Sequence, residues 1–286
     1  MSILQNKMDF VAVIEVKNAN PNGDPLNENM PRVDFDGFGE ISDVCIKRKI
    51  RNRLLDMGES IFVQSDDKKI DAFGSLRERA ESNEIFGKEL KKGKKADSNI
   101  AATAACQAWM DVRSFGQVFA FKNTELSLGI RGPVTVQSAF SADPVDITSI
   151  QITKSVNGES KEGKASDTMG MKHRVDFGVY LLKGSINVQL AEKTGFSEED
   201  AEKIKEAIRT LFVNDCSSAR PEGSMQIVKL FWWKHNCKIG QYSAKKVHDS
   251  VEVVKKEGIQ NPSSIEDYTI TCHPLEGLAI EEYEGL

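Results

Sequence analysis

Four carboxylates near the start of the chain have the chemistry of a metal site: Asp24, Asp34, Asp36 and Asp43. Carboxylate oxygens are the ligands that Mg²⁺ prefers, and a bound Mg²⁺ would support phosphodiester hydrolysis. Asp is also typical of turns, because its side chain accepts hydrogen bonds from the nearby backbone. We favour the turn interpretation and keep the metal site as the alternative.

The remaining residue types show no spacing typical of a catalytic or metal site. The chain has no Walker loop, no GxGxxG after a strand, no HExxH and no GxSxG. The four histidines are not spaced with one another or with cysteine as a metal cluster requires. The five cysteines are scattered without a CxxC pair, and we expect free thiols in a reducing cytosol. We therefore predict no metal, no cofactor and no catalytic residue.

Positive charge is concentrated in residues 42–55, which carry five cations and one anion. The cations are Lys47, Arg48, Lys49, Arg51 and Arg53. Apolar residues at 46, 50 and 54 define the buried face of an amphipathic helix, with Ser42 as its N-cap. Lys47 and Arg51 then share one flank, and Lys49 and Arg53 form a second row. Unpaired like charges at this spacing mildly destabilise a helix, so an anionic partner such as nucleic acid would explain them. A solvated basic face is the more common meaning of such a run.

Arginine and phenylalanine also alternate with glycine between Asp111 and Phe121 and again at residues 130–132, on predicted strands. This mixture is typical of sheets that bind single-stranded RNA by stacking and phosphate contact. The alternation of Phe115, Phe119 and Phe121 is equally typical of core packing.

The elements that must position these residues follow from periodicity. With 286 residues, 40% hydrophobic residues and a net charge of −5, the chain has the composition of a globular protein. Its apolar runs are too short to span a membrane. We predict strands at 9–17, 115–121, 125–140, 225–234 and 269–272, a hairpin at 183–184 between strands 173–182 and 185–191, and helices at 42–57, 197–212, 242–256 and, interrupted, 61–111. The order predicts an α+β fold with an antiparallel sheet and two helices on one face, the βαββαβ ferredoxin-like plan.

Six short motifs occur in the order of a known family. They are Asn20-Pro-Asn-Gly-Asp-Pro25, Ile41-Ser-Asp-Val-Cys-Ile-Lys-Arg-Lys-Ile-Arg51, Asp111-Val-Arg-Ser-Phe-Gly-Gln-Val-Phe119, Ile130-Arg-Gly-Pro133, Thr168-Met-Gly-Met-Lys-His173 and Ala219-Arg-Pro-Glu-Gly223. Together they resemble the Cas-seven backbone subunits of type I-C CRISPR Cascade complexes, the Csd-two/Csh-two group of the RAMP superfamily. The resemblance spans residues 8 to 256.

The resemblance implies a single elaborated domain over residues 1–286 with an RRM-like, ferredoxin-like palm. The palm would comprise about 8–57, 112–154 and 172–256, with a helical finger insertion at about 58–111 and a protruding thumb loop at about 155–171. We expect the thumb to be mobile in the isolated subunit. The implied function is a cytoplasmic, non-enzymatic subunit in antiviral defence. Copies of it would polymerise along a CRISPR RNA (crRNA), contact other Cascade subunits, and present bases for pairing with target DNA.

The resemblance also assigns RNA contacts residue by residue. The phosphate-gripping helix contributes Ser42, Lys47, Lys49 and Arg51. The thumb tip contributes Thr168, Met169, Met171 and Lys172, and further backbone contacts fall on Arg113, Arg131 and Arg220. The basic run Lys88 to Lys95 lies in the finger, where it would contact target DNA. The alternative within the superfamily is a metal-dependent endoribonuclease that uses Asp34 or Asp36, and a metabolic α+β enzyme is a more distant reading.

Overall fold

The architecture is taken from a computed structural model, which describes residues 2–122, 124–153 and 169–286. The strands are β1 (Met8–Ala19), β2 (Gly23–Asp24), β3 (Met30–Pro31), β4 (Phe38–Ile41), β5 (Gly116–Ala120), β6 (Ser127–Arg131), β7 (Val134–Val136), β8 (Ala139–Pro144), β9 (Ile147–Thr153), β10 (Met169–Ile186), β11 (Met225–Lys234), β12 (Val251–Lys255), β13 (Tyr268–Cys272) and β14 (Ile280–Glu284). The helices are α1 (Asp43–Asp56), α2 (Leu76–Ser82), α3 (Glu84–Lys92), α4 (Ser98–Ala108), α5 (Met110–Phe115), α6 (Val188–Thr194), α7 (Glu198–Arg209) and α8 (Ala244–His248).

The main sheet has the strand order β14-β11-β1-β10-β8-β4, and β7 and β9 also pair with β10. Every pairing among the described residues is antiparallel. The chain runs through β1, α1, β8, β10, α7 and β11 in that order. The predicted α+β class with a large antiparallel sheet is confirmed.

Strand β1 lies in the middle of this sheet and is covered on both faces. Its alternate side chains Phe10, Ala12 and Ile14 pack in one core beneath α1 and α7. Val11 and Val13 point to the other face and pack in a second core with α8, β12 and β13. Burial on both faces explains why β1 reads as a continuous apolar run rather than an alternating one.

Helices α1 and α7 form as their sequences predict. The apolar residues of α1 at positions 46, 50 and 54 are fully buried. Ser42 caps its N-terminus by accepting a hydrogen bond from the backbone N–H of Cys45, and Gly58 follows its end with a φ of +87°. In α7 the side chains of Ser197 and Asp200 form a capping box.

A separate hydrophobic core holds together the helical segment that follows α1, residues 58–111, which we call the insertion. Phe62, Phe86, Trp109 and Phe119 pack with ring centroids 4.6 to 6.4 Å apart, and α2, α3 and α4 surround them. Phe119 belongs to the hairpin β5–β6, which the sequence interpretation assigned to the palm. The aromatic residues of this hairpin therefore serve the core of the insertion, and Phe119 is fully buried there.

The predicted hairpin at Lys183-Gly184 is wrong. The chain runs straight through this dipeptide as part of β10, and the following residues form α6 rather than a second strand. Gly184 is required by close approach, since a Cβ atom there would lie 2.2 Å from Cζ of Phe10 and 2.6 Å from the carbonyl oxygen of Thr135. Glycine in a strand marks such an approach as often as a turn.

Three further local predictions are corrected. Residues 242–256 contain only the five-residue helix α8 and then β12, because Val251 to Lys255 pairs with β13. Phe115 and the arginine before it, placed on a predicted strand with the Arg and Phe pattern, belong instead to α5, and Gly116 ends this helix with a φ of +80°. Trp232 and Trp233 are adjacent, so the alternation of a strand predicts one buried and one interfacial side chain, but both are buried, because the sheet is covered on both faces.

The predicted thumb lies largely outside the described residues, which end at Thr153 and resume at Met169. Met169 to Met171, assigned to the thumb loop, form the start of β10, where they pair with Gln151 to Thr153 of β9. Within the described residues, no helix is long and apolar enough to cross a membrane.

Candidate nucleic-acid interface

The N-terminus of α1 is held by the motif at residues 20–25. The side-chain oxygen Oδ1 of Asn22 accepts hydrogen bonds from both the backbone N–H and the hydroxyl of Ser42, at 2.9 and 2.8 Å. The backbone N–H of Asn20 donates to the carbonyl of Ala219 at 2.9 Å. Three segments that the sequence separates widely, around residues 20, 42 and 219, therefore meet at one place.

Each of the five cations on α1 has a partner within the fold, so the premise that they are unpaired is wrong. Lys47 bonds Asp43 at 3.1 Å on its own helix. Arg48 donates to the carbonyl of Val63 at 2.7 Å, and Arg53 donates to the hydroxyl of Thr210 at 2.7 Å. Lys49 and Arg51 pair with the carboxylates of Asp215 and Asp111. The cations of α1 therefore stabilise the fold as well as making the helix basic.

Arg51 joins the main sheet's helix layer to the insertion. Its Nε bonds Oδ2 of Asp111 at 3.0 Å, and its guanidinium lies 5.0 Å from the ring centroid of Phe115. Asp111 is 1% exposed and also accepts the backbone N–H groups of Phe62 and Val63 at 2.7 and 3.1 Å. These bonds fix α1 against the insertion. They also pair the charge of Arg51 with a buried carboxylate of the same chain.

Lys49, Asp215 and Arg220 form a charged cluster beside the cap of α1. The ammonium of Lys49 pairs with Asp215, and Arg220 Nε lies 3.4 Å from the same carboxylate. Burial lowers the pKa of Lys49, although Asp215 opposes this effect. Arg220 Nε is buried with no hydrogen-bond partner among the described residues, so one donor of this guanidinium is unsatisfied.

A polar groove of about 350 Å³ opens over this cluster, and we call it the α1 groove. Its walls are the loop at 21–23, one flank of α1, the segment 65–68 and the loop 214–220. Four cations line it: Arg48, Lys49, Lys68 and Arg220. Two carboxylates, Asp67 and Asp215, leave it a formal charge of +2 in a chain of −5. Among the residues that the structure describes, no aromatic side chain lines this groove.

The structure brings only some of the predicted site residues together at this groove. Lys49 and Arg220 line the groove. Ser42 does not line it, but its hydroxyl donates a hydrogen bond to Asn22, which does. Sequence reasoning did not single out Arg48 or Lys68, which also line it. The signal for Arg48 was its place in the basic run, whereas Lys68 is brought in by the insertion and bonds the carbonyl of Asn214 at 2.6 Å.

Arg113 and Arg131 lie elsewhere. Arg113 is on α5 rather than a strand, and its guanidinium forms a bidentate pair with Asp200 of α7 at 2.7 and 3.0 Å. Arg131 is exposed at the end of β6. Of the two arginines on the predicted Arg and Phe strands, Arg113 therefore links two helices, and Arg131 lies at the end of a hairpin strand.

The remaining predicted contacts lie on a two-stranded ribbon formed by β9 and the start of β10. Met169 and Met171 share one face of it, and they are 64% and 47% exposed. Lys172 faces the other side next to Ile150, its cross-strand partner. Thr168 falls outside the described residues. The ribbon therefore presents exposed apolar side chains on both faces.

The acidic loop before α1 supports the turn interpretation of its carboxylates. Oδ1 of Asp34 accepts the backbone N–H groups of Asp36 and Phe38 at 3.0 and 2.9 Å. Asp24 bonds the guanidinium of Arg32 and the N–H of Leu26 at 3.2 Å. In the described part of the chain, no group of three or more histidine, cysteine or acidic residues is arranged to hold a metal ion.

Comparison with known proteins places the chain in a family. The family model described as CRISPR-associated protein Cas7 matches residues 6–273. A Cas7 protein of Haloferax volcanii is 28% identical over 221 residues, which cover 70% of this chain and 62% of that protein. A solved chain of a CRISPR RNA-guided surveillance complex in a pre-nicking state aligns with a TM-score of 0.50 at 15% identity, over 79% of this chain and 78% of that one. A second chain, from a CRISPR RNA-guided surveillance complex, aligns with a TM-score of 0.41 at 15% identity, over 79% and 68%. Because the family model covers nearly the whole sequence, the chain belongs to the Cas7 family of CRISPR-associated proteins.

Proposed function

We propose that this protein is the RNA-binding backbone subunit of a type I-C CRISPR RNA-guided surveillance complex, and that it is not an enzyme. Membership of the Cas7 family supports the proposal, and the six ordered motifs support the type I-C assignment. We also assign its palm to the ferredoxin-like plan, on the basis of the strand order β11-β1-β10-β8 with α1 and α7 on one face.

The observation that carries the proposal is the composition of the α1 groove. Its cations other than the buried Lys49 are placed to contact phosphates, and among the described residues it offers no aromatic ring for a base to stack on. A surface that holds the RNA backbone without stacking its bases binds any sequence and leaves the bases free to pair. That is what a subunit needs if it must accept every spacer.

We divide the predicted RNA-binding residues into two roles, on the basis of their contacts and burial. Arg220, Lys68 and Lys47 have partly exposed charges, and we assign them phosphate contacts. Lys49, Arg51 and Arg113 are mostly buried and paired with Asp215, Asp111 and Asp200, and we assign them to positioning α1 and the groove. Ser42 orders the start of α1 through Asn22.

The β9–β10 ribbon is the proposed base of the thumb. Met169 and Met171 are exposed and apolar, which suits insertion between bases rather than contact with phosphates. Thr168 and Lys172 flank this apolar pair in the sequence. We propose that the ribbon of one copy reaches the RNA held by the next.

The endoribonuclease alternative is not favoured. It requires a loop carboxylate that is free to bind Mg²⁺ or to move a proton, and Asp34 uses its carboxylate to hold its own turn. Asp36 is exposed beside it and belongs to no group of three or more histidine, cysteine or acidic residues that could hold a metal ion among the described residues.

The experiment is to mix the purified protein with RNAs of increasing length and unrelated sequence, and to measure bound mass by sedimentation. The account predicts that the number of bound copies rises in steps with length and is the same for every sequence. Binding limited to one sequence, or a single bound copy on every length, would contradict it. RNA cleavage in Mg²⁺ that is lost in Asp36→Ala would support the alternative.

A further inference from the structure

The segment 24–40 forms an acidic protrusion that carries large apolar side chains with nothing covering them. Leu26 is 98% exposed, Phe35 is fully exposed and Val33 is 42% exposed. The segment contains five carboxylates and one arginine, a net charge of −4. Leu26 and Phe35 lie in two turns of this segment, and burying side chains of this size against a partner is favourable.

The protrusion is rigid, so Phe35 is held outward. Asp34 accepts hydrogen bonds from two backbone N–H groups of its own turn, and its N–H donates to the carbonyl of Phe38 at 2.9 Å. Gly37 adopts a φ of +85°, which closes the turn. The base of the protrusion is fixed where Glu40 N–H donates to the carbonyl of Arg32 at 2.8 Å. A preorganised apolar side chain loses little conformational entropy when it binds.

The charge of the protrusion excludes nucleic acid as its partner. Phe35 stands between Asp34 and Asp36, and both carboxylates would repel the phosphates on either side of a stacked base. The partner must present an apolar recess with positive charge around it.

The same chain carries such a recess on its insertion, which we call the finger groove. It lies between α3 and α4, has a volume of about 280 Å³ and is lined by uncharged residues, among them Ile85, Ile100, Thr103 and Ala104. Ile85 and Ile100 are 51% and 46% exposed. In one molecule the groove and Phe35 do not meet, because Phe35 is fully exposed.

Helix α3, which contributes Ile85 to the finger groove, leads into a run of lysines. The run Lys88 to Lys95 at the end of α3 contains five lysines and one glutamate, a net charge of +4. Lys88 lies one turn from Ile85 on the same face of α3. Lys91 and Lys95 make no ion pair among the described residues, whereas Lys88, Lys92 and Lys94 have carboxylate partners. The groove thus offers both features that the acidic protrusion requires.

We propose that the acidic protrusion of one copy docks into the finger groove of the next copy, with Phe35 in the groove and the lysine run against the carboxylates. Two different surfaces of one chain then make a head-to-tail contact, and a head-to-tail contact that does not close into a ring generates an open array. The inference rests on the proposed function, for which it supplies the contact between subunits. It gives the lysine run a role other than the target-DNA contact that the sequence suggested.

Two variants each remove one half of the contact. Phe35→Asp destroys the apolar tip, and Ile100→Asp places a carboxylate in the groove, where it repels the protrusion. Both residues are exposed, so the melting temperatures of both variants should match that of the wild type. Val118→Asp is the matched control, since Val118 is 67% exposed on β5 of the same insertion but outside the groove.

The first readout is the affinity for RNA long enough for several copies, compared with RNA that holds only one. Each variant should lose at least about tenfold in the cooperative part of binding, because central apolar anchors dominate interface energy. Its affinity for the one-copy RNA should be unchanged, as should both affinities of Val118→Asp. If the wild type failed to bind the one-copy RNA, the proposed function would be wrong, whereas unchanged cooperativity in Phe35→Asp would refute only the docking contact.

The second readout is a mixture of the two variants. Phe35→Asp keeps an intact groove and Ile100→Asp keeps an intact protrusion, so a 1:1 mixture should form pairs that cannot extend. Sedimentation should therefore show two-copy species in the mixture and not in either variant alone. Normal arrays from Ile100→Asp combined with weakened binding of target DNA would mean that the groove and its lysines contact DNA, and would overturn the proposal.

Discussion

Replacing Asp215 with Asn separates the two roles of the charged cluster beside α1. Asp215 balances Lys49, which is 4% exposed, and lies 3.4 Å from Arg220. Removing the carboxylate leaves a buried ammonium without its counter-charge, which costs about 3 kcal/mol of unfolding free energy. It also raises the formal charge of the α1 groove by one.

The loss in Asp215→Asn should depend on pH in a defined direction. Burial already lowers the pKa of Lys49 in the folded state, and removal of Asp215 takes away the interaction that raises it. The unfolded chain then binds more protons than the folded one between this lowered pKa and the ordinary lysine pKa, so stability rises with pH through that window. The deficit relative to wild type should therefore shrink as the pH is raised from neutral into the alkaline range.

Urea denaturation across that pH range measures the effect, and Lys49→Met in the Asp215→Asn background is the matched control. Replacing both members of a buried pair is often close to neutral, so the double variant should recover most of the loss. The single variant should also bind RNA with a salt slope steeper by about 0.7, the increment of one further phosphate contact on a single strand. A loss below about 1 kcal/mol at neutral pH, with no pH dependence, would refute the role given to this cluster.

Three other substitutions test separate parts of the structure. Asp111→Ala removes the acceptor for Arg51 and two buried N–H groups and should cost about 3 kcal/mol by urea denaturation, whereas Ala at the exposed Asp67 should cost little. Gly184→Ala should lower the melting temperature strongly, because the added methyl group meets the Phe10 ring and the Thr135 carbonyl. Gly195→Ala is the control, since its φ is positive but nothing lies within 4 Å, so it measures the cost of backbone strain without a steric clash. Met169→Ser with Met171→Ser should leave the melt within about 0.5 kcal/mol of wild type but reduce the number of copies bound to long RNA. Normal assembly in that last variant would show that the ribbon is not part of the thumb.

The fold was predictable where one segment carried its own signal. Helix α1 has its cap, its apolar periodicity and its terminal glycine within residues 42–58, and β11 was predicted with its observed bounds. The predictions failed where packing from a distant segment decided the outcome. Lys183-Gly184 has the composition of a turn, but the glycine is there because Phe10 of β1 lies against it.

The site was predictable as a region and not as a set of contacts. The basic run located α1, and the motifs at 20–25 and 219–223 proved to lie beside it. The partners of Lys49 and Arg51 are 166 and 60 residues away in sequence, so no local pattern shows that these charges are neutralised. Lys68 was missed for the same reason, since only the folded insertion brings it to the groove.

The salt dependence of RNA binding by Lys68→Ala combined with Arg220→Ala tests the central claim most directly. Both cations line the α1 groove, so on a one-copy RNA the log–log salt slope should fall by about 1.4, equally for unrelated sequences. Lys238→Ala with Lys245→Ala, which removes two surface cations outside the groove, should leave the slope unchanged. A wild-type slope and affinity in the groove variant would contradict the account, because RNA would then be held by another surface of the protein.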